Sequence, residues 1–306
     1  MVKENNPKVI ICMSTYNGEK YIEEQIESLL NQTYKNIEIY VRNDGSKDKS
    51  LEILKKYEEE KKIHLIQGKN VGVVNSFYEC LKEAYNNGEY FAYCDQDDKW
   101  HNDKIERAVK KLNEENQDIP LLYFSEFNYC DENLKYQNKS SLNKKGTSFR
   151  NSLVECISFG ISEVFNKKLA EKIIESKTED ICFHDWWAYM ISAGFGKVIY
   201  DEEATVEYRR TGSNVSPSGK GNIELQLYRI KKFVFGKYFK NIRKQINKYK
   251  LQFSDELSDE NKKIINTFSL NYNLIKAFKK TFYPKMYRQK LIDEIMCRIL
   301  FLFGRL

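Results

Sequence analysis

From Val9 to Ser125 short apolar runs alternate with longer stretches of helical period, and this alternation restricts the chain to a layered α/β arrangement. "KVIICMS" reads as a strand, and "GEKYIEEQIESLLNQ" places Ile22, Ile26, Leu29 and Leu30 on one helical face. "IEIYVRN", "IHLIQG", "YFAYC" and "PLLYFS" repeat the strand signal. "DGSKDKSLEILKKYEEE", "VNSFYECLKEAYNNG" and "DKIERAVKKLNEEN" repeat the helical one. Such a succession predicts a mostly parallel sheet flanked by helices. Ligands bind these sheets beyond the carboxyl ends of the strands. Four polar stretches fall there: "STYNGE" (Ser14 to Glu19), "RNDGS" (Arg42 to Ser46), "GKNVG" (Gly68 to Gly72) and "DQDD" (Asp95 to Asp98).

Neither GxGxxG after the first strand nor GxxxxGK[ST] occurs, so the usual dinucleotide and phosphate loops are absent. A bound nucleotide would then be held by side chains, with its phosphates neutralised by a metal. The DQDD loop supplies the means. Two carboxylates about 4 Å apart repel by roughly 4 kcal/mol at an effective dielectric of about 20, so Asp95, Asp97 and Asp98 call for a positive partner. Mn²⁺ or Mg²⁺ is the expected one, because these ions commonly take one or two carboxylates together with substrate phosphates. A plainer reading has these aspartates capping a helix that starts near Asn102.

With 306 residues, 41% hydrophobic and 31% charged, the chain has the composition of a folded, soluble protein. Its charge is uneven. Residues 1–219 carry 30 Lys/Arg against 37 Asp/Glu, and residues 220–306 carry 20 against 7. The break follows the turn-rich "SNVSPSGKGN", so two regions are expected, 1–219 and a basic, helical C-terminal region 220–306. "MVKENNPKVIICMST" lacks the long apolar core of a secretory signal, and no stretch has the roughly 20 apolar residues needed to span a bilayer. Seven scattered cysteines without a CxxC fit reduced thiols better than disulfides or a zinc site. The expected compartment is the cytoplasm.

Taken in order, "MSTYNGEKYIEEQIESLLNQTYKNIEIYVRNDGSKDKS", "GKNVGVVNSFYECL" and "YCDQDDKWHNDKI" resemble a family 2 glycosyltransferase of the GT-A fold. The DQDD-W form is similar to the bacterial rhamnosyltransferase-like branch. The resemblance runs from about Val9 to about Val215. It implies an inverting enzyme that moves a sugar from a nucleotide-diphosphate donor, with dTDP-β-L-rhamnose expected and UDP-hexose the main rival. The acceptor would be a hydroxyl of a growing surface polysaccharide or lipid-linked oligosaccharide. The resemblance assigns Thr15, Tyr16, Asn17 and Glu19 to the base and ribose, and Asp44 to the pyrimidine edge. Asn75 and Gln96 join the donor contacts. Asp97 becomes the metal ligand, with Asp95 beside it on metal or ribose, and Asp185 in "CFHDWWAYMISAGFG" becomes the general base. Asp185 also suits a helix N-cap. An aromatic face can stack on a sugar ring, so Trp186 and Trp187 are candidate acceptor contacts. His184 reads as a packed side chain.

One departure stands out. Many relatives have a His where this chain has Thr211, a poor substitute as a metal ligand. The diphosphate would then lean on Arg209 or Arg210, whose forked donors suit phosphate. In the basic C-terminal third, Leu291, Ile295, Ile299, Leu302 and Leu306 form one apolar stripe on a basic helix. An anionic membrane surface is the expected partner, making the protein peripheral on the inner face of the plasma membrane, with packing on its own domain or in a homodimer through these helices as the rival. No nucleic-acid module accompanies the basic residues, and nucleic acid is not expected. Two other classes compete. A nucleotidyltransferase would carry a Gly-rich basic loop in place of "STYNGEKY". A non-catalytic anchoring subunit would not need both Asp97 and Asp185.

Overall fold

A computed structural model of the chain describes residues 6–211, 238–268 and 270–306. The chain divides into two compact units, Met1–Ser141 with Ser158–Thr178 and Phe183–Arg209, and Leu142–Ile157 with Glu179–Cys182 and Arg210–Leu306. The boundary expected at 219/220, the turn-rich stretch 213–222 and the helical reading of 222–237 lie outside the described residues.

In the first unit, β1 (Val9–Thr15), α1 (Ile22–Leu30), β2 (Ile37–Asn43), α2 (Ser50–Glu59), β3 (His64–Gln67), α3 (Val73–Ala84) and β4 (Tyr90–Cys94) follow the expected rhythm. After them come β5 (Lys99–Trp100), α4 (Lys104–Asn113), β6 (Leu121–Cys130) and β7 (Tyr136–Lys139). The short α5 (Phe149–Ser152) belongs to the second unit. The first unit resumes with β8 (Val164–Asn166), α6 (Lys167–Ile174), α7 (His184–Phe195) and β9 (Lys197–Arg209). The strands form one mixed sheet in the order β3-β2-β1-β4-β8-β6-β9-β5, with β7 on β6.

β1 runs parallel to β2 and β4, and β2 runs parallel to β3. β8 is antiparallel to both β4 and β6, and β9 is parallel to β6. Six strands therefore point the same way and deliver Thr15, Asn43, Gln67, Cys94, Cys130 and Arg209 to one edge of the sheet. The antiparallel members include β5 of two residues and β8 of three, too short to show a period of their own. Val9 to Met13 and Phe91 to Cys94 are almost wholly buried. Covered on both faces, these strands read as continuous apolar runs without alternation.

In the second unit, the helix Tyr238–Phe253 buries Ile242, Ile246, Tyr249 and Phe253, one stripe at helical spacing. Ser258 and Asn273 cap the helices Asp259–Ile265 and Leu274–Thr281 by accepting from the main-chain N–H three residues on. The last helix, Leu291–Leu302, packs on Leu274–Thr281. The stripe expected along it divides. Leu291, Ile295 and Ile299 face outward, Leu302 is half-buried, and Leu306 is buried beyond the helix end. Among the described residues no helix is long and apolar enough to cross a membrane.

Candidate active site

The DQDD loop leaves the end of β4 where the sheet is most buried. Asp95 and Asp97 are half-buried and Asp98 is fully buried. Asp98 Oδ1 accepts the main-chain N–H of Arg209 at 2.9 Å, and its Oδ2 has no hydrogen-bond partner among the described residues. Burial pushes the Asp95 carboxyl up to about 7, with the charges of Asp97 and Asp185 adding to it. Burial likewise raises Asp97 and, more strongly, Asp98, and the nearby Arg209 only partly opposes this. The site is therefore a desolvated cluster of carboxylates that resist sharing their charge.

Arg209 supports this loop from beneath. Its Nε donates to the Asp97 carbonyl at 2.8 Å and its Nη1 to the Glu132 carbonyl at 2.6 Å, while Nη2 pairs with Glu24. The guanidinium lies 4.4 Å from the Tyr21 ring centre, and the side chain is 3% exposed. Arg209 was expected at the diphosphate; here each side-chain nitrogen has a protein partner and the residue braces the loop. Arg210 and Thr211 belong to the other unit.

The fit of a divalent cation can be judged on the donor set. Among the described residues neither Asp95 nor Asp97 makes an ion pair with a lysine or arginine, and no group of three metal-binding side chains occurs. Two unneutralised carboxylates suit Mn²⁺ or Mg²⁺ as half of a coordination shell that phosphate oxygens and water complete.

Beside the acidic loop, the turns after β1 and β2 are knitted together. Gln96 Oε1 accepts from Thr15 Oγ1 at 2.7 Å and from the Tyr16 N–H at 2.9 Å, while Gln96 Nε2 donates to the Tyr16 carbonyl at 3.2 Å. A Cβ on Gly18 would sit 2.4 Å from that same oxygen, so only glycine admits the clamp. Asn17, at φ +52°, accepts the Lys47 N–H and donates its own to Ser46 Oγ. Glu19 accepts the Lys49 N–H at 2.8 Å. Thr15, Gln96, Asn17 and Glu19 thus shape the turn, whereas the Tyr16 ring stands 42% exposed at the strand end. Asn75 is half-buried on the first turn of α3 and donates to the Val71 carbonyl.

Asp44, expected at the base, is engaged within the protein. It is 3% exposed, and its carboxylate accepts from Val71 N–H (2.9 Å), Gly72 N–H (3.0 Å) and Arg42 Nη1. Its hydrogen-bonding capacity is taken up by the 69–72 loop, which it anchors to the end of β2.

Asp185 is the second residue of α7 and not its cap, which is Phe183. Its Oδ2 accepts the Gly160 N–H at 3.1 Å and its Oδ1 the Trp186 N–H at 2.7 Å. A Cβ at Gly160 would lie 2.8 Å from His184 Nε2 and 3.5 Å from Asp185 Cβ, so the close approach needs glycine. The His184 ring stacks on Phe77 at 3.9 Å and meets Tyr93 edge-on at 4.7 Å, and burial lowers its pKa. Trp186 and Trp187 are 2% and 1% exposed, so both are core side chains as placed and neither offers a ring face to a sugar.

Two buried titratable residues lie behind the site, unannounced by the sequence. Lys104 is wholly buried with its ammonium 4.3 Å over the Trp100 ring, and burial lowers its pKa to about 7. Glu163 is also wholly buried, and its carboxyl is raised first by burial and then by the charge of Asp185, despite the Ser158 hydroxyl and Lys104 nearby. The one available signal was a single acid inside the apolar run "ISFGISEVF". A separate cleft of about 500 Å³, lined by Thr33, Trp100, His101 and Glu207 among others, contains none of Asp95, Asp97 and Asp185.

A mixed sheet with these polar turns along one edge defines a GT-A glycosyltransferase fold, and solved structures share it. S. aureus TarS in complex with UDP-GlcNAc superposes with a TM-score of 0.56 at 16% identity, covering 97% of this chain and 92% of that one. The mannosyltransferase PcManGT from Pyrobaculum calidifontis, in complex with GDP-Man and Mn²⁺, gives 0.51 at 13% identity, covering 98% and 86%. Residues 10–174, more than half of the chain, match the model of glycosyl transferase family 2, and the protein belongs to that family. The dTDP-rhamnosyl transferase RfbG of Shigella flexneri is 29% identical over 231 residues, 68% of this chain and 76% of that protein. An uncharacterized glycosyltransferase of Rickettsia typhi is 38% identical over 144 residues, 46% of this chain and 42% of its own length. The chain thus covers under half of the latter relative and about three quarters of the former.

Proposed function

We propose that the protein is an inverting, divalent-cation-dependent glycosyltransferase that transfers a sugar from a nucleotide-diphosphate donor to an acceptor hydroxyl. The observation that carries this reading is the arrangement around Asp185. That carboxylate is oriented by the Gly160 N–H and sits close enough to Asp95 for its charge to raise that residue's pKa. A proton-accepting group beside a cation-holding pair is what a single displacement at an anomeric carbon requires.

In this reading the nucleotide lies along the strand ends with its base against the exposed Tyr16 ring. Asp95 and Asp97 would hold Mn²⁺ or Mg²⁺, which neutralises charge on the departing diphosphate. Asp185 accepts the proton of the acceptor hydroxyl, whose oxygen bonds to the anomeric carbon as the bond to the diphosphate breaks on the opposite face. The anomeric configuration inverts. The donor we propose is dTDP-β-L-rhamnose, supported by similarity to RfbG, with a UDP-hexose as the second reading. The acceptor is a hydroxyl on a growing surface glycan or its lipid-linked precursor.

Calorimetric titration of dTDP-rhamnose and UDP-glucose, with Mn²⁺ and then with chelator, tests the donor. Metal-dependent heat from the rhamnose donor alone is expected, and heat from UDP-glucose alone would move the donor to the hexose class. Asp97→Ala is expected to abolish metal-dependent donor binding. Asp185→Asn should keep that binding and lose transfer by about 10²-fold or more. Equal loss of donor binding in both variants would overturn this division of roles.

A further inference from the structure

The described end of the second unit leaves two rows of large apolar side chains in water. On the helix Leu274–Thr281 and just past it, Leu274, Ile275, Phe278 and Phe282 are 49–71% exposed. On the helix Leu291–Leu302 and just past it, Leu291, Ile292, Ile295, Ile299 and Phe303 are 40–75% exposed. The first row follows the spacing i, i+1, i+4, i+8 and the second continues it to i+12, so each is one continuous helical face and not a scatter of single residues. The opposite faces are core: Ala277 and Thr281 on one helix, Cys297, Leu300 and Phe301 on the other.

The two helices are tied into one body. Arg298 Nη1 donates to the Thr281 carbonyl, Tyr272 Oη donates to the Leu302 carbonyl at 2.8 Å, and Lys280 Nζ donates to the Leu306 carbonyl at 2.8 Å. Phe278 and Phe282 stack on each other at 5.7 Å between ring centres. The side chains in these rows therefore extend from a braced framework. Exposed apolar faces of this extent mark interaction surfaces.

Charge selects the partner. Between Leu270 and Leu306 the exposed charged residues are Lys279, Lys285, Lys290 and Arg305, all basic. The acids of the same stretch turn away from water. Glu294 is 3% exposed, accepting from the Tyr287 and Arg288 N–H groups and from Arg298 Nε, and Asp293 is half-buried. From this combination we infer that the paired helices form a monotopic docking face for an anionic lipid surface. The apolar rows would enter the headgroup boundary while the lysines meet lipid phosphates. A second copy of this chain would bring the same four basic residues against themselves, which opposes self-association through this face. The inference goes beyond the proposed transfer reaction and does not depend on it.

Co-sedimentation of the full chain with vesicles tests it, using phosphatidylcholine alone and phosphatidylcholine mixed with phosphatidylglycerol. The chain is expected to pellet with the mixed vesicles and to stay in solution with phosphatidylcholine alone. Replacing the exposed residues in Phe282→Ser, Ile292→Ser and Phe303→Ser together should return it to the supernatant, with circular dichroism and donor affinity unchanged. Lys279→Ala and Lys290→Ala should each weaken binding about fivefold. Failure of the unaltered chain to pellet with anionic vesicles overturns the inference. So does a dimer in sedimentation velocity that the triple variant dissolves in the absence of vesicle binding.

Discussion

At Gly160 a single methyl group would reach 2.8 Å from His184 Nε2 and press toward Asp185 Cβ. Gly160→Ala therefore tests whether the carboxylate must be held in place as well as present. Transfer should fall by about tenfold to a hundredfold with donor affinity retained, because small displacements of a reacting group carry large rate penalties. Parallel loss of donor affinity would show that the change disturbs more than the base. Asp95 adds a pH signature. Its folded pKa is raised from 3.8 to about 7 by burial first and by Asp97 and Asp185 next. Below pH 7 a proton must leave before a cation can bind, so metal-dependent donor affinity should drop about tenfold per unit there and level off above it. Calorimetry across pH 5.5–8.5 (about three units) reads this directly, and a flat profile would remove Asp95 from the metal site. Asp97 and Asp185 could be proposed from the sequence because charges at a strand end or helix start stand out in one dimension. Gly160 and Glu163 could not, because their partners lie elsewhere in the chain: Gly160 meets Asp185 from 25 residues away. Gln96 was expected as a donor contact, but its clamp on Thr15, 81 residues away, shows only in the fold. Asp44, Arg209 and the two tryptophans are the opposite case: their residue types suit ligand contact, and the fold places them at 3% exposure or less, which the sequence does not show.

Among the elements, β9 does unexpected work. It brings Arg209 under the DQDD loop, where its main-chain N–H meets Asp98 and its side chain meets the carbonyls of Asp97 and Glu132. A lysine carries the charge but not the fork. Arg209→Lys should cost about 2–4 kcal/mol in urea unfolding, chiefly from carbonyls left without donors. Its pair with Glu24 contributes little, since Glu24 is 44% exposed. A variant as stable as the parent would show that the loop holds itself. The strand–helix rhythm through β4 and β6 could be read from periodicity because each element is long enough to show one. β5, β8 and the bulged register between β6 and β9 could not, since their identity comes from pairing with distant strands.

Across the whole molecule, buried charge limits stability at the site. The Glu163 carboxyl is held well above 4.5, so the folded chain keeps a proton that the unfolded chain releases near that pH. Stability from this group is therefore lost as pH rises above about 4.5. Glu163→Gln should leave stability near pH 5 almost unchanged and raise it by about 1–3 kcal/mol near pH 8, measured by denaturant unfolding. An equal effect at both pH values would show that the carboxyl is not buried in its neutral form. The chain order of the site carries a separate implication. Asp95 and Asp97 come from before residue 100, while Gly160 and Asp185 come from well beyond it. The two lengths join where β8 lies antiparallel against β4, Ala92 opposite Val164, through main-chain hydrogen bonds that are indifferent to side-chain identity. One genetic crossover in the turn between α4 and β6 would thus exchange the length that bears Gly160 and Asp185 for a relative's while leaving the strand ends that bear Asp95 and Asp97 in place.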